Sequence, residues 1–353
     1  MKILIHAING VGLGHVVRTS RIAATLKTLR PDVEIVFATN TKYTGILKNN
    51  YKTYTLKKDT RAVVENECSY EEYNQYNTMA LKKIISHELP DVVLFDCEFS
   101  SDLLHFCKIN LIKTIYILRN SKPERFSNIK HFFSFFDAII IPHDQEEVLS
   151  DQREFLIRYS ANFVGPIFDT YVPSESIPRE NILITLGSGA GTPQNEPLFS
   201  AVDLFLNSLR KNNFLIDNFS IVVDVITGPF YEGQCDLSGC RLTTTTESLS
   251  KDLYKAKIVI SGAGYNTINE IISSKTPAVL VPLPRGWDDQ FHRAEVLEKL
   301  GCVKIVKTEI MDPVKDILNN WQSYHESFPC IKSGNIKAAQ ILSDVLNSKI
   351  SKG

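Results

Sequence analysis

At 353 residues, with 43% hydrophobic and 22% charged residues, the chain has a globular composition and is long enough for two domains. A net charge of −1 excludes a global basic field, so no nucleic-acid partner is expected and any anion site must be local. Seven scattered cysteines without a CxxC pair, and no apolar run near the roughly 20 residues of a spanning helix, point to a soluble chain in a reducing cytoplasm.

The first apolar run, KILIHA, passes into Gly10, Gly12 and Gly14, and then into a helix-like segment over 15–29 that Pro31 stops. EIVFAT, DVVLFD, TIYILR and DAIIIP follow as further strands, with a helical pattern over 70–88. A second series then starts afresh with NILITLG, SIVVDVI, KIVISG and AVLVP. Near-continuous apolar strands alternating with helices predict parallel sheets covered on both faces. The seam FVGPIFDTYVPSESIPREN (163–181) holds three prolines and reads as a connection, which puts a boundary near Gly165. The expected class is therefore α/β. Two doubly wound, Rossmann-like domains are expected over 1–164 and 165–330, with a C-terminal helix in 331–353 packing back toward the first. Their ligand loops, at the C-terminal ends of the strands, are expected to face one another across a cleft.

Two stretches carry open readings. FSNIKHFFSFF (126–136) reads first as a core-packing helix, with a membrane-surface or lipid-acceptor patch as the alternative. TYTLKKDTRAVVENECSYEEYNQYN (53–77) is either an acceptor loop or a surface excursion without a role.

The glycine turns carry the chemistry. The first has the spacing G-x-G-x-G-H, and the second strand ends in Thr39 and Asn40 where a dinucleotide site needs an acid, so NAD is not expected. What remains is a tight turn whose backbone N–H groups face a substrate, with His15 and Arg18 on one helix face. An imidazole there suits a general base or a donor to a leaving phosphate, against a structural histidine and solvated arginines as the plain alternative. LITLGSGAGT supplies Gly187, Ser188 and Gly189 after a strand. VISGAGYNTINEII supplies Ser261, Gly262 and Gly264, then Tyr265, Asn266 and Thr267 in a helix first turn suited to a pyrophosphate. Glu270, one turn on, is placed to accept from a ribose diol, the plain alternative being a solvated carboxylate. In TPAVLVPLPRGWDDQFHRAEVLEKLG, Asp288, Asp289 and Gln290 open a helix and could bond sugar hydroxyls, although capping is expected to explain one of the two acids.

The G-x-G-x-G-H turn, the SGAG…NE helix and the P…DDQ…A helix together resemble the GT-B glycosyltransferases. The nearest branch is glycosyltransferase family 28, which includes the peptidoglycan N-acetylglucosaminyltransferases. The resemblance spans the whole chain and is most specific in the block from Ser261 to Ala294. It implies a nucleoside-diphosphate sugar donor, UDP-linked and of the UDP-GlcNAc type, held by the second domain. SGAG would cradle the diphosphate, Glu270 the ribose, and Asp289 with Gln290 the sugar. Gly12, Gly14 and His15 would approach from the first domain. It also implies inverting displacement without a cofactor or metal, with His15, Asp96 or Glu98 taking the proton of an acceptor hydroxyl. The acceptor is a small molecule or a lipid-linked one, the latter placing the protein at the inner face of the membrane. The pattern departs from the family at GPIFDTY, where no arginine follows the interdomain turn, and at DVVLFDCEFSSDLL, where Asp96 and Glu98 replace a glycine-rich loop. Three rival readings keep the fold: a nucleotide-sugar hydrolase of the pseudaminic-acid type, sharing the G-H-x-x-R turn; a sugar-nucleotide 2-epimerase; and a non-catalytic nucleotide-sugar-binding shell.

Overall fold

The computed structural model describes residues 1–9, 12–41, 43–48, 50–56, 69–120, 123–171, 173–175, 177–217, 219–246, 248–285 and 288–348. The chain divides into two compact units, Met1–Phe168 with Lys332–Gly353, and Asp169–Ile331. The division falls beyond the expected Gly165 because Val164 and Ile167 are buried in the core of the first unit, and Phe168 is buried too, rather than lying in a bare connection.

The first unit is built on seven parallel strands: β1 (Lys2–Ala7), β2 (Glu34–Thr39), β3 (Lys52–Thr55), β4 (Val92–Asp96), β5 (Lys113–Ile117), β6 (Ala138–Ile141) and β7 (Asn162–Phe163). They lie in the order β3-β2-β1-β4-β5-β6-β7. Side chains alternate across a strand, so β1 sends Ile3 and Ile5 to one face and Leu4 to the other. On the first face lie helix α1 (Gly14–Leu29), through Val16, Ile22, Ala23 and Leu26, and helix Asn335–Asn347, through Ala338, Leu342 and Leu346. On the other lie Leu81 and Ile85 of helix Tyr70–Glu88. That helix starts with a reciprocal capping box between Ser69 and Glu72. Much of 53–77 is therefore ordered secondary structure, β3 and the first turns of this helix, while 57–68 lie outside the described residues.

The phenylalanine-rich segment is chiefly core. Phe126 and Phe133 are buried, and Phe132 and Phe136 pack edge-on against Phe99 at 5.5 and 5.2 Å. Phe135 alone of the five is exposed, at 45%. Among the described residues no helix is long and apolar enough to cross a membrane.

The second unit repeats the plan with β8 (Asn181–Thr185), β11 (Val223–Ile226), β12 (Arg241–Thr243), β13 (Ala256–Ser261), β14 (Ala278–Leu280) and β15 (Val303–Ile305), all parallel, in the order β12-β11-β8-β13-β14-β15. A separate antiparallel pair joins β9 (Leu215–Ile216) to β10 (Phe219–Ser220). Helices Glu196–Lys211 and Met311–Asn319 cover one face, and helices Tyr265–Ser274 and Gln290–Lys299 the other. In both sheets the strand order reverses once, beside β1 and β4 in the first and beside β8 and β13 in the second. Such switch points open a crevice at the strands' C-terminal ends.

Candidate functional site

At the switch point of the first unit, α1 begins directly after the turn that follows β1. Gly10 and Val11 lie outside the described residues; a Cβ on Gly12 would meet little, its nearest neighbour being the Gly14 nitrogen at 3.9 Å. The helix start is not open, however. Asn9 turns its side chain under it, and Asn9 Oδ1 accepts from the backbone N–H groups of His15 at 3.2 Å and Val16 at 3.3 Å. Asn9 is fixed in turn by its own N–H to Asn40 Oδ1 at 2.7 Å and by Thr39 Oγ1 at 3.2 Å. The sequence reading expected these helix amides to face a substrate; two of them already have a protein acceptor, because a buried asparagine outside the helix acts as its cap.

What the first turn of α1 presents is its side chains. Arg18 and Asp96 are 1% and 0% exposed. The Arg18 NH2 group donates to both carboxylate oxygens, at 2.6 and 2.8 Å. His15 Nδ1 lies 3.3 Å from Asp96 Oδ2, and 24% of its side chain remains exposed. Burial disfavours the charged form of Asp96, but Arg18 and His15 outweigh it and hold the carboxyl far below its usual range. Burial likewise works against a charged His15, while Asp96 more than offsets it and holds the ring up at about 9. The plain alternative of solvated arginines fails here, since Arg18 is buried and paired.

Cys97 completes the cluster, with Sγ 3.6 Å from Arg18 and 3.4 Å from Asp96. One ligand atom each from His15, Asp96 and Cys97 falls within 4.8 Å of the others, a spacing that could hold a metal ion. The Arg18 guanidinium occupies both oxygens of that carboxylate and reaches the sulfur, so a fixed cation already fills the role of a metal there. Glu98, 38% exposed, is drawn to Arg125 at 2.9 Å, and the same guanidinium holds the Cys97 carbonyl at 2.6 Å. The three candidate proton acceptors thus separate: Asp96 is locked, Glu98 is paired, and His15 keeps an exposed edge.

His6 was not singled out in the sequence. It is buried on β1 edge-on to Phe95 at 5.8 Å, and among the described residues neither ring nitrogen has a hydrogen-bond partner of ordinary geometry. Burial is the main cause that pushes it down to about 4. Its only signal was a histidine inside an apolar strand.

At the switch point of the second unit, the loops after β8 and β13 flank the crevice. Gly189 and Gly228 pack backbone to backbone: a Cβ on Gly189 would stand 2.2 Å from the Thr227 carbonyl, and one on Gly228 2.5 Å from that of Gly187. Gly189 therefore serves loop packing, whereas Gly187, with open space at its Cβ position, is the glycine that fronts the crevice. Ser188 is half-buried and its carbonyl accepts from Phe230 N–H at 3.0 Å.

After β13, Ser261 donates to the Gly262 carbonyl at 2.8 Å, and Gly264 caps helix Tyr265–Ser274. The first intrahelical bond runs from Ile268 N–H to the Gly264 carbonyl, and a Cβ on Gly264 meets nothing within 4 Å. The turn thus opens into free space with the positive end of the helix behind it. Asn266 and Thr267 are half-buried on the first turn; Tyr265 is buried. Glu270 is not a solvated carboxylate: it is 2% exposed, and Ser250 Oγ donates to it at 3.4 Å.

The three residues of the DDQ segment have partners within the protein. Asp289 is the N-cap of helix Gln290–Lys299, accepting from His292 N–H at 3.0 Å. Asp288 bonds Arg293 at 2.7 Å. Gln290 is buried, and its Oε1 accepts from both Ala263 and Leu283 N–H at 3.1 Å, tying the loop after β14 to the turn after β13. Capping explains one acid and an ion pair the other, so Asp289 and the Gln290 oxygen both have structural partners.

Residues 191–320 match the model described as glycosyltransferase family 28 C-terminal domain. The matched stretch lies within the second unit, Asp169–Ile331. The chain is 34% identical over 136 residues to the Aquifex aeolicus (strain VF5) protein named UDP-N-acetylglucosamine--N-acetylmuramyl-(pentapeptide) pyrophosphoryl-undecaprenol N-acetylglucosamine transferase, covering 35% of this chain and 39% of that protein. It is 24% identical over 320 residues to the protein of the same name from Rickettsia canadensis (strain McKiel), covering 76% and 89%. The crystal structure of the kitacinnamycin glycotransferase shares the fold at a TM-score of 0.65 and 12% identity, with 98% of this chain and 99% of that one covered. The chain thus has a two-domain GT-B fold, and the Ser261–Gly264 turn and Glu270 both fall within the matched stretch.

Proposed function

We propose that the chain is a glycosyltransferase that moves N-acetylglucosamine from UDP-GlcNAc to an acceptor hydroxyl, with inversion and without a metal. The names of its relatives support the donor and the lipid-linked acceptor. The observation that carries the reading is the open Gly264 turn at the β8/β13 switch point, backed by a helix N-terminus inside the stretch that matches family 28. The helix end would take the diphosphate, and Glu270, held by Ser250, would accept from the ribose.

In the first unit His15 is the group with a free edge and a partnered back. His15 Nδ1 lies 3.3 Å from both Asp96 Oδ2 and the Arg18 NH2 group; with its proton turned to Asp96, Nε2 is the basic nitrogen toward the acceptor hydroxyl. Asp96, itself locked by Arg18, is a positioning residue. As the acceptor oxygen bonds the anomeric carbon, its proton passes to His15 and the bond to the nucleoside diphosphate breaks. Charge then grows on the leaving phosphate, where fixed N–H donors act most strongly.

The test is a thermal-shift panel of UDP, dTDP, GDP and ADP on wild type and Glu270→Gln, followed by product analysis with UDP-GlcNAc and an undecaprenyl-pyrophosphoryl acceptor. A ligand at 100 times its Kd stabilises by about 2.7 kcal/mol. UDP alone shifting the wild type, a weaker shift in the variant, and a glycosylated lipid are the expected results. Free N-acetylglucosamine or an epimerised donor as sole product would overturn the transfer reading.

A further inference from the structure

The loop after β14 carries a cation that the donor reading has not used. Arg285 NH2 donates to Asn195 Oδ1 at 2.5 Å, and Asn195 Nδ2 donates to the Ala190 carbonyl at 2.6 Å, which fixes the amide so that its oxygen faces Arg285. Asn195 follows β8 and Arg285 follows β14, whereas β13 lies between these strands in the sheet. The bond therefore passes across the end of β13, the strand that carries the Gly262–Gly264 turn. Gln290, bonded to Leu283 and Ala263 N–H, anchors the same loop two residues before Arg285.

The guanidinium is half-buried and its partner is neutral. Among the described residues no carboxylate pairs with it, since Asp288 is committed to Arg293 at 2.7 Å. Burial lowers its readiness to stay charged and outweighs the opposing pull of the Asp288 carboxylate, which is bonded to Arg293. Charge-assisted bonds to a planar guanidinium are strong and suit phosphate oxygens. We propose that Arg285, held by Asn195, binds the diphosphate of the nucleotide donor and releases its Asn195 bond, wholly or in part, to do so. This rests on the donor reading above and adds a residue and a phosphate-dependent selectivity to it.

The experiment is isothermal titration of wild type, Arg285→Ala, Arg285→Lys and Asn195→Ala. The probes are the nucleoside diphosphate that most stabilises the wild type, its monophosphate and its nucleoside, and inorganic pyrophosphate. Arg285→Ala should weaken the diphosphate about 10- to 100-fold and the nucleoside less than about twofold, with lysine recovering part of the loss. Asn195→Ala, which keeps the charge, should cost less than Arg285→Ala. Equal losses for nucleoside and diphosphate would mean a damaged fold and would overturn the proposal, as would diphosphate affinity within twofold of wild type in Arg285→Ala. A wild type that binds none of the nucleotides would instead sink the donor reading itself.

Discussion

Replacing Arg18 with leucine removes the guanidinium that bonds both oxygens of Asp96 and leaves that carboxylate, 0% exposed, facing His15 and the Cys97 thiol. Deleting one partner of a buried pair strands the other charge at a cost of about 3–5 kcal/mol. In a unit of this size each kcal/mol moves the midpoint by about 2–4 °C, so the first unit should melt about 10 °C lower. Asp96→Asn in the same background removes the stranded charge, and the double variant should melt above Arg18→Leu alone. Calorimetry at pH 7 on the four proteins reads both effects. The sign with pH follows from the depressed Asp96 carboxyl, whose stabilisation is present above its ordinary value near 3.9 and is lost as pH falls toward its folded value. The gap between wild type and Arg18→Leu should therefore hold from pH 5 to 8 and close below about pH 3. A midpoint for Arg18→Leu within about 2 °C of wild type, or a double variant no better than the single, would refute the reasoning.

Other consequences are as direct. If neutral His15 is the base, with the ring held up at about 9, kcat/KM should rise about tenfold per pH unit from 6 to 8 and level near 9; a profile flat to pH 9 and falling beyond it would make the ring a proton donor instead. The stability His15 contributes should be complete below about pH 6.5 and vanish as pH rises through about 9, so a His15→Ala variant should lose less stability at pH 10 than at pH 6. Gly189→Ala, with φ +74° and a Cβ 2.2 Å from the Thr227 carbonyl, should cost at least about 2 kcal/mol in urea unfolding, against about 1 kcal/mol for Gly187→Ala, which meets nothing. Asn9→Ala removes both cap bonds of α1 and should cost about 1–2 kcal/mol by the same measurement, a loss that Asn9→Asp should largely spare.

Strand and helix positions were legible where apolar patterning was strong. KILIHA and EIVFAT coincide with β1 and β2, and the pattern over 70–88 with helix Tyr70–Glu88. Two- to four-residue edge strands such as β3, β7, β12 and β15 escaped, because half-exposed strands carry no continuous apolar run. At the site, residue types were legible and pairings were not. Arg18 and Asp96 stand 78 positions apart, and only the parallel pairing of β1 with β4 brings them together. Asn9 stands just after β1, and nothing in its spacing marks it as the residue that caps α1. Asp288, Asp289 and Gln290 have the residue types of a sugar site, but an ion pair, a cap and two backbone amides claim them first, and such local competition has no signature in spacing.

Helix Asn335–Asn347 has a consequence for the order of events at the ribosome. Its Ala338, Leu342 and Leu346 fill the core against α1 and the sheet of the first unit, and Lys113 of β5 donates to the carbonyl of Val345 at 2.7 Å. The first unit is thus interrupted by the whole of the second. Its seven strands leave the exit tunnel early, yet the apolar surface beside α1, toward β5 and β6, stays uncovered until residues 335–347 have emerged. The nascent chain must carry that apolar surface through the synthesis of some 160 intervening residues, which makes the early half the part most exposed to aggregation during synthesis.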